Sequence, residues 1–268
     1  MKQASFSVTK PRFFNVFVTL TFVAVGLMAA SPQATAVDKE GLALYLPFEE
    51  GKGDIAKDAS GNGNDGKLIQ GPKWVKGQFG TALEFQGNNY VEVPDKPNSG
   101  FDGVEGLTIE AWVRQEAHHD NGIVVKLTGG SFWPCSYNLE TWSDTNMWFG
   151  VDQDALALSA PNYPLNKWFH FTGVFDGKAK KQYIYLNGKE VAQGNASTTK
   201  VPDGEKPVWV GIVDPNNFFF RGMLDEIAIY SRVLTATEIQ QDMEKGVVLA
   251  VQSKGKLATT WGKLKGGN

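Results

Sequence analysis

The segment WFHFTGVFDGKAKKQYIYLNGKEVAQG, Trp168 to Gly194, decides the fold. Asn187-Gly188 lies between two alternating runs, and Asn-Gly supplies the two positive φ angles of a type I′ turn, so Gln182 to Gln193 reads as a β-hairpin. Phe175-Asp176-Gly177 marks a second turn of the same kind between WFHFTGV and KQYIYL. Three consecutive strands therefore form a meander.

The same pattern extends in both directions. LALYLPF, TALEFQG, YVEVP, LTIEAWVR, GIVVKL, YNLETW and MWFGVD precede the meander, and PVWVGI and LDEIAIY follow it. Each run is short, rich in β-branched or aromatic residues, and bounded by Gly, Pro, Asn or Asp. That makes about a dozen strands at the ~8–12-residue spacing of a sandwich, with no helical stretch long enough for a βαβ crossover. Only SRVLTATEIQQDMEKG carries helix punctuation. Thr235 caps it, Glu238 completes a capping box, Leu234, Ile239 and Met243 share a face, and Gly246 closes it. Alternation also places Trp112, Trp168 and Trp209 in the core, folds Phe218 and Phe220 inward, and packs His170 among aromatics.

The ends of the chain read differently. Lys2, Lys10 and Arg12, the apolar run Phe13 to Ala30 and the small-x-small site Ala34-Thr35-Ala36 form a secretory signal peptide cleaved after Ala36. The alternative is an uncleaved membrane anchor; either way the rest is exported. Residues 37–251 read as one domain, and residues 252–268 as a basic, Gly-rich, mobile tail. The net charge is −3 with scattered Lys and Arg, which excludes a nucleic-acid or anionic-membrane footprint. The single cysteine, Cys135, forbids an intramolecular disulfide and reads as a small buried apolar residue, so stability rests on a large core.

The polar stretch FEEGKGDIAKDASGNGNDGKL, Phe48 to Leu68, invites a phosphate or metal reading. The phosphate reading fails because the glycines run into extended KLIQGPKW rather than a helix N-terminus. No EF-hand fits either, since no Glu follows at the twelfth loop position. Asp58, Ser60, Asn62 and Asn64 instead have the chemistry of turns, in which short polar side chains bond nearby backbone amides.

Taken in order, LALYLPFEEGKGDIAKDASGNGNDGKL, GQFGTALEFQGNNYVEVP, LTIEAWVR, WFHFTGVFDG with YIYLNGKEVAQG, and RGMLDEIAIYSRVLTATEIQQ resemble a laminin-G-like, concanavalin A-like jelly-roll domain of the bacterial secreted type. The resemblance implies two curved antiparallel sheets, an architecture shared by lectins, carbohydrate-binding modules, pentraxins and some glycanases. It also implies a structural Ca²⁺, with Glu49 and Asp225 as matching ligands and Gly87 as a weaker one, Gln86 standing where the family pattern has an acidic residue. Read as a plain strand, Asp225 and Glu226 point to opposite faces, one bonded at the sandwich edge and the other solvated.

An active site is not expected. Jelly-roll glycanases use two carboxylates on one strand, spaced to face one cleft, because a retaining pair needs its carboxyls ~5–5.5 Å apart. Neither YVEVPD nor LDEIAIY has that spacing, no nucleophile elbow occurs, and His118-His119-Asp120 reads as a solvated turn. The loops GGSFWPCSY, ETWSDTNMW and VDPNNFFFRG instead put aromatic rings beside Asn, Asp and Ser. Phe132, Trp133, Trp142, Trp148 and Phe219 are candidates to stack on sugar faces or to pack the rim; Asp144, Asn146, Asn216 and Asn217 are candidates to bond hydroxyls. The expected function is a secreted, non-catalytic module for carbohydrate or an extracellular protein surface. A structural or adhesive protein of the cell envelope, and a glycan-active enzyme with an unrecognised site, are the rival classes.

Overall fold

The computed structural model describes residues 40–129, 135–152 and 157–247. In chain order the strands are β1 (Leu42–Leu46), β2 (Ile55–Ala56), β3 (Gly66–Ile69), β4 (Lys73–Lys76), β5 (Thr81–Gln86), β6 (Tyr90–Val93), β7 (Gly106–Arg114) and β8 (Asn121–Leu127). Then follow β9 (Cys135–Thr141), β10 (Asn146–Val151), β11 (Leu158–Pro161), β12 (Phe169–Asp176), β13 (Lys181–Leu186), β14 (Lys189–Asn195), β15 (Val208–Val210) and β16 (Arg221–Tyr230), with one helix, α1 (Ala236–Lys245). The signal-peptide segment and the tail beyond residue 247 lie outside the described residues.

Two antiparallel sheets make a jelly-roll sandwich. The first runs β14-β13-β12-β7-β16-β5-β4, with β1 also on β16; the second runs β11-β10-β9-β8-β15-β6-β3-β2. The meander is β12-β13-β14, and Asn187 and Gly188 turn it at φ 50° and 71°. Alternate residues of both sheets, among them Ile109, Val113, Phe169, Phe171, Tyr137, Leu139 and Phe149, fill the space between them.

Several large side chains depart from the expected alternation. Trp112 and Trp209 are 8% and 5% exposed, but neither joins the cluster between the sheets, and Trp168 is half-buried. On β7 the inward positions are Leu107, Ile109, Ala111 and Val113, so Trp112 faces out and stands 5.3 Å from the His170 ring. Trp209 belongs instead to an apolar layer on the outside of the second sheet, with Tyr90, Val125, Leu127, Cys135, Ile212 and Val213. Phe220 is core, whereas Phe218 has φ 59°, which breaks the strand geometry and turns its ring away from the interior.

α1 forms as its punctuation predicts: Thr235 accepts from the Glu238 amide and the Glu238 side chain accepts from the Thr235 amide. The helix covers the outside of the first sheet through Leu234 and Ile239. Asp242 is buried with them, while Met243 is only half-buried.

The Asn- and Gly-rich loop after β2 acts as a surrogate strand. Among the described strands β1 is paired on one side only, by β16. On the other side Asp58 accepts from the Tyr45 amide, Asn62 donates to the Leu42 and Ala43 carbonyls, and Asn64 donates to Ala43. The turn reading of Asp58, Ser60, Asn62 and Asn64 thus extends to sealing a sheet edge.

Candidate functional site

Four connections meet at one end of the sandwich: residues 87–89, 115–120, 142–145 and 211–220. Backbone contacts tie them together, since the Ser143 amide donates to Asp120, the Gly122 amide to the Phe218 carbonyl, and the Gly87 amide to the Phe220 carbonyl. Trp142, Trp148 and Phe218 come together here. The Trp142 and Phe218 rings stack at 6.2 Å and 23°, and Trp148 lies 6.1 Å from Trp142 at 52°. All three are half-buried. The Trp142 indole donates to Glu140 at 2.8 Å, and its carbonyl accepts from the Tyr163 hydroxyl. The Trp148 Nε1 is buried and has no hydrogen-bond partner among the described residues.

The polar candidates surround this cluster, but their side chains first build turns. Asn146 Nδ2 and its amide both donate to Asp144. Asn217 Nδ2 donates to both oxygens of buried Asp214, which also accepts the Asn216 amide. Asp144, Asn216 and Asn217 are exposed. Phe219 stands apart from the stack, 6.4 Å from Tyr90 and packed on the outer apolar layer. Phe132 and Trp133 lie outside the described residues. Phe218 is the member that sequence alternation missed, because its left-handed φ could not be read from three consecutive phenylalanines.

A second arrangement centres on the turn between β4 and β5. Asp225 accepts from the Phe79 amide at 3.0 Å and from the Glu226 amide at 2.9 Å. Glu49 accepts from the Thr81 amide at 3.2 Å, and its carboxylate lies against Gly80. A Cβ built on Gly77 would sit 2.5 Å from Asp225 Oδ2, 2.6 Å from the Phe79 carbonyl and 2.8 Å from the Thr81 carbonyl. Three oxygens therefore converge on the face of Gly77, where any side chain would clash with them, and carboxylate and carbonyl oxygens are the donor types that hard cations take. Burial pushes the Asp225 carboxyl up to about 8, despite the Phe79 amide that favours its ionised form.

Among the described residues no three His, Cys, Asp or Glu side chains gather as a metal cluster, so a cation here would take backbone carbonyls as well as carboxylates. The donor set fits a hard cation. Gly87 is not part of it: it lies at the far end of β5, where the Arg221 side chain crosses it. Asp225 and Glu226 are not opposed as in a plain strand, because β16 exchanges β5 for β1 at this point. The register slips there and Glu226 has φ 52°. Both carboxylates are buried.

The other close carboxyl pair is sealed beneath α1. Glu110 of β7 and Asp242 lie within hydrogen-bonding reach, with the Tyr230 hydroxyl donating to Asp242 at 2.6 Å. Burial holds both carboxyls above the ordinary range and holds His170 neutral, down at about 3.

The model of the concanavalin A-like lectin/glucanases superfamily matches residues 85–240. Among solved structures the chain is similar to the binding domain of Paraclostridial Mosquitocidal Protein 1, at 18% identity and TM-score 0.61, over 76% of this chain and 52% of that one. It spans about half the length of that structure. It is also similar to domain 4 of AbnA, a GH43 extracellular arabinanase from Geobacillus stearothermophilus, solved in complex with arabinotriose, at 18% identity and TM-score 0.57, over 76% and 98%. The binding domain of Botulinum Neurotoxin DC, solved in complex with SialylT, matches at 15% identity and TM-score 0.57, over 77% and 52%. These likenesses carry the fold. Curated proteins return no match.

Proposed function

Because the chain belongs to the concanavalin A-like lectin/glucanases superfamily, a fold that does not by itself specify a ligand, we propose its function from its surface: a secreted, non-catalytic module that binds carbohydrate at the loop end of the sandwich. The observation that carries this is the meeting of Trp142 and Trp148 of the β9–β10 hairpin with Phe218 of a distant loop, with the Trp148 N–H buried and unpartnered among the described residues. Aromatic rings offer flat apolar faces to the C–H faces of sugars. Asp144, Asn216 and Asn217 stand exposed beside them to bond hydroxyls. A similar domain solved with arabinotriose agrees with this reading.

Export is proposed from the basic, apolar and small-residue segments at the start of the chain. A structural Ca²⁺ is proposed at the Gly77 cradle, held by Asp225 with the Phe79 and Thr81 carbonyls, and by Glu49 across the turn. Bound there, it would pin the β4–β5 turn to β16 and neutralise a buried carboxylate.

The test is a glycan array and polysaccharide pull-down of the chain, beside the Trp142→Ala and Trp148→Ala variants. Retention that either variant weakens roughly tenfold or more establishes the module and its face. A folded protein that binds no glycan overturns the proposal and favours a protein-contact role.

A further inference from the structure

A pocket of about 360 Å³ opens beside the aromatic end, lined by Glu84, Arg114, Glu116, His119, Arg221 and Met223, among others. That volume is at the small end of the ~300–1,000 Å³ typical of small-ligand sites. Strand register builds its floor. Met223 of β16 is paired with Glu84 of β5 on one side and Arg114 of β7 on the other, so the three side chains stand abreast on the outer face of the first sheet. The Arg114 guanidinium reaches Met223 Sδ at 3.5 Å. Arg221 enters from the start of the same strand. Its stem crosses Gly87, where a Cβ would fall 2.9 Å from Cγ and 3.1 Å from Cδ, so the glycine makes room for the arginine.

The charges in this pocket do not neutralise one another. Among the described residues, no ion pair within 4.0 Å involves Arg114, Arg221, Glu84 or Glu116. Two guanidiniums are left with donors to spare and two carboxylates with acceptors to spare, around a floor of thioether. A ligand that satisfies both brings an anionic group for the guanidiniums and hydrogen-bond donors for the carboxylates on one small frame.

We infer that this pocket binds an acidic sugar residue, its carboxylate held by Arg114 and Arg221 and its hydroxyls donating to Glu84 and Glu116. A guanidinium matches a carboxylate with two parallel N–H bonds, which a neutral sugar cannot use. Met223 gives the ring an apolar support. The segment Phe218 to Arg221 links the two faces at this end, with Phe218 against the outer layer of the second sheet and Arg221 in the pocket on the first. The inference rests on the carbohydrate-binding reading and narrows it to acidic glycans.

The test titrates the full chain with an oligogalacturonate and with the same oligomer methyl-esterified at its carboxyls, alongside a neutral glycan array. Arg114→Gln and Arg221→Gln serve as variants, with melting temperature as the folding control. The expected result is acid binding at least about tenfold tighter than ester binding, a preference that each variant removes. Equal binding of acid and ester, or an acid preference that survives both variants, overturns the inference and leaves the carbohydrate reading standing. Binding of neutral array glycans without binding of the acid does the same. Binding of a free amino acid such as glycine in place of the sugar acid would reassign the pocket to zwitterions. Absence of all glycan binding by folded protein overturns both readings together.

Discussion

Lys126 has no side-chain exposure, yet its ammonium meets four oxygens: Asp95 at 2.9 Å, Asp102 at 3.2 Å, and the Gly204 and Lys206 carbonyls at 2.7 and 2.6 Å. One buried cation thereby ties the segment after β6 to the segment before β15. Burial raises the Asp102 carboxyl and Lys126 opposes that shift, so deleting the cation leaves two carboxylates without a counter-charge. Lys126→Met is expected to cost about 3 kcal/mol in chemical denaturation, and adding Asp102→Asn to recover part of it. A variant as stable as the parent would refute the tether. Gly77 offers a second single-residue test. Gly77→Ala fills the cradle in front of Asp225 and is expected to abolish any calcium-dependent rise in melting temperature.

Two elements depend on polar groups that their own patterns mark as surface. α1 docks with Asp242 against Glu110, and neither Glu110 Oε2 nor Asp242 Oδ1 has a donor among the described residues. A proton shared by the two carboxyls satisfies both oxygens. Tyr230 and Thr172 donate to the pair, neutral His170 lies 4.0 Å from Glu110, and Glu238, Arg232, Tyr45 and Glu226 are the other charged or titratable groups around it. The folded carboxyls bind protons more tightly than the unfolded ones, so this docking is strongest in acid and weakens as pH rises through and above the ordinary carboxylate range. At saturating calcium, stability is expected to fall by roughly 1–3 kcal/mol between pH 5 and 9, and Asp242→Asn to flatten the fall. A profile equally steep in the variant would exclude the pair as its source. At β1, Asp58 accepts three backbone amides, those of Tyr45, Ser60 and Asn64, so Asp58→Ala is expected to expose the β1 edge to hydrogen exchange before the core.

Across the whole molecule, the proposed calcium and the proton compete for Asp225. Its folded carboxyl titrates at about 8 against an ordinary 3.8, so metal-free stability is full below the unfolded value and is lost as pH climbs between them. Calcium requires the ionised form, so its stabilising effect is expected to grow across the same interval. At a hundredfold excess over its dissociation constant it adds about 2.7 kcal/mol. Melting curves with and without chelator at pH 5 and pH 8 measure this directly; the same melting temperature in all four conditions would remove the cation from the account.

The order of strands, the hairpin at Asn187-Gly188 and the capped helix after Leu234 were legible in the sequence, because turn chemistry and capping act between residues a few positions apart. Burial of Asp242 was not, since helix periodicity marks a polar residue as solvent-facing until a partner such as Glu110 appears from a distant strand. Nor was the outward face of Trp112, because alternation orders neighbours without saying which face meets the core. Phe218 joined Trp142 only through a backbone angle, and the oxygens proposed for the cation include the Phe79 and Thr81 carbonyls, which every residue possesses and no sequence can single out. Local periods and turns determined the elements. Register between distant strands decided which side chains share a site.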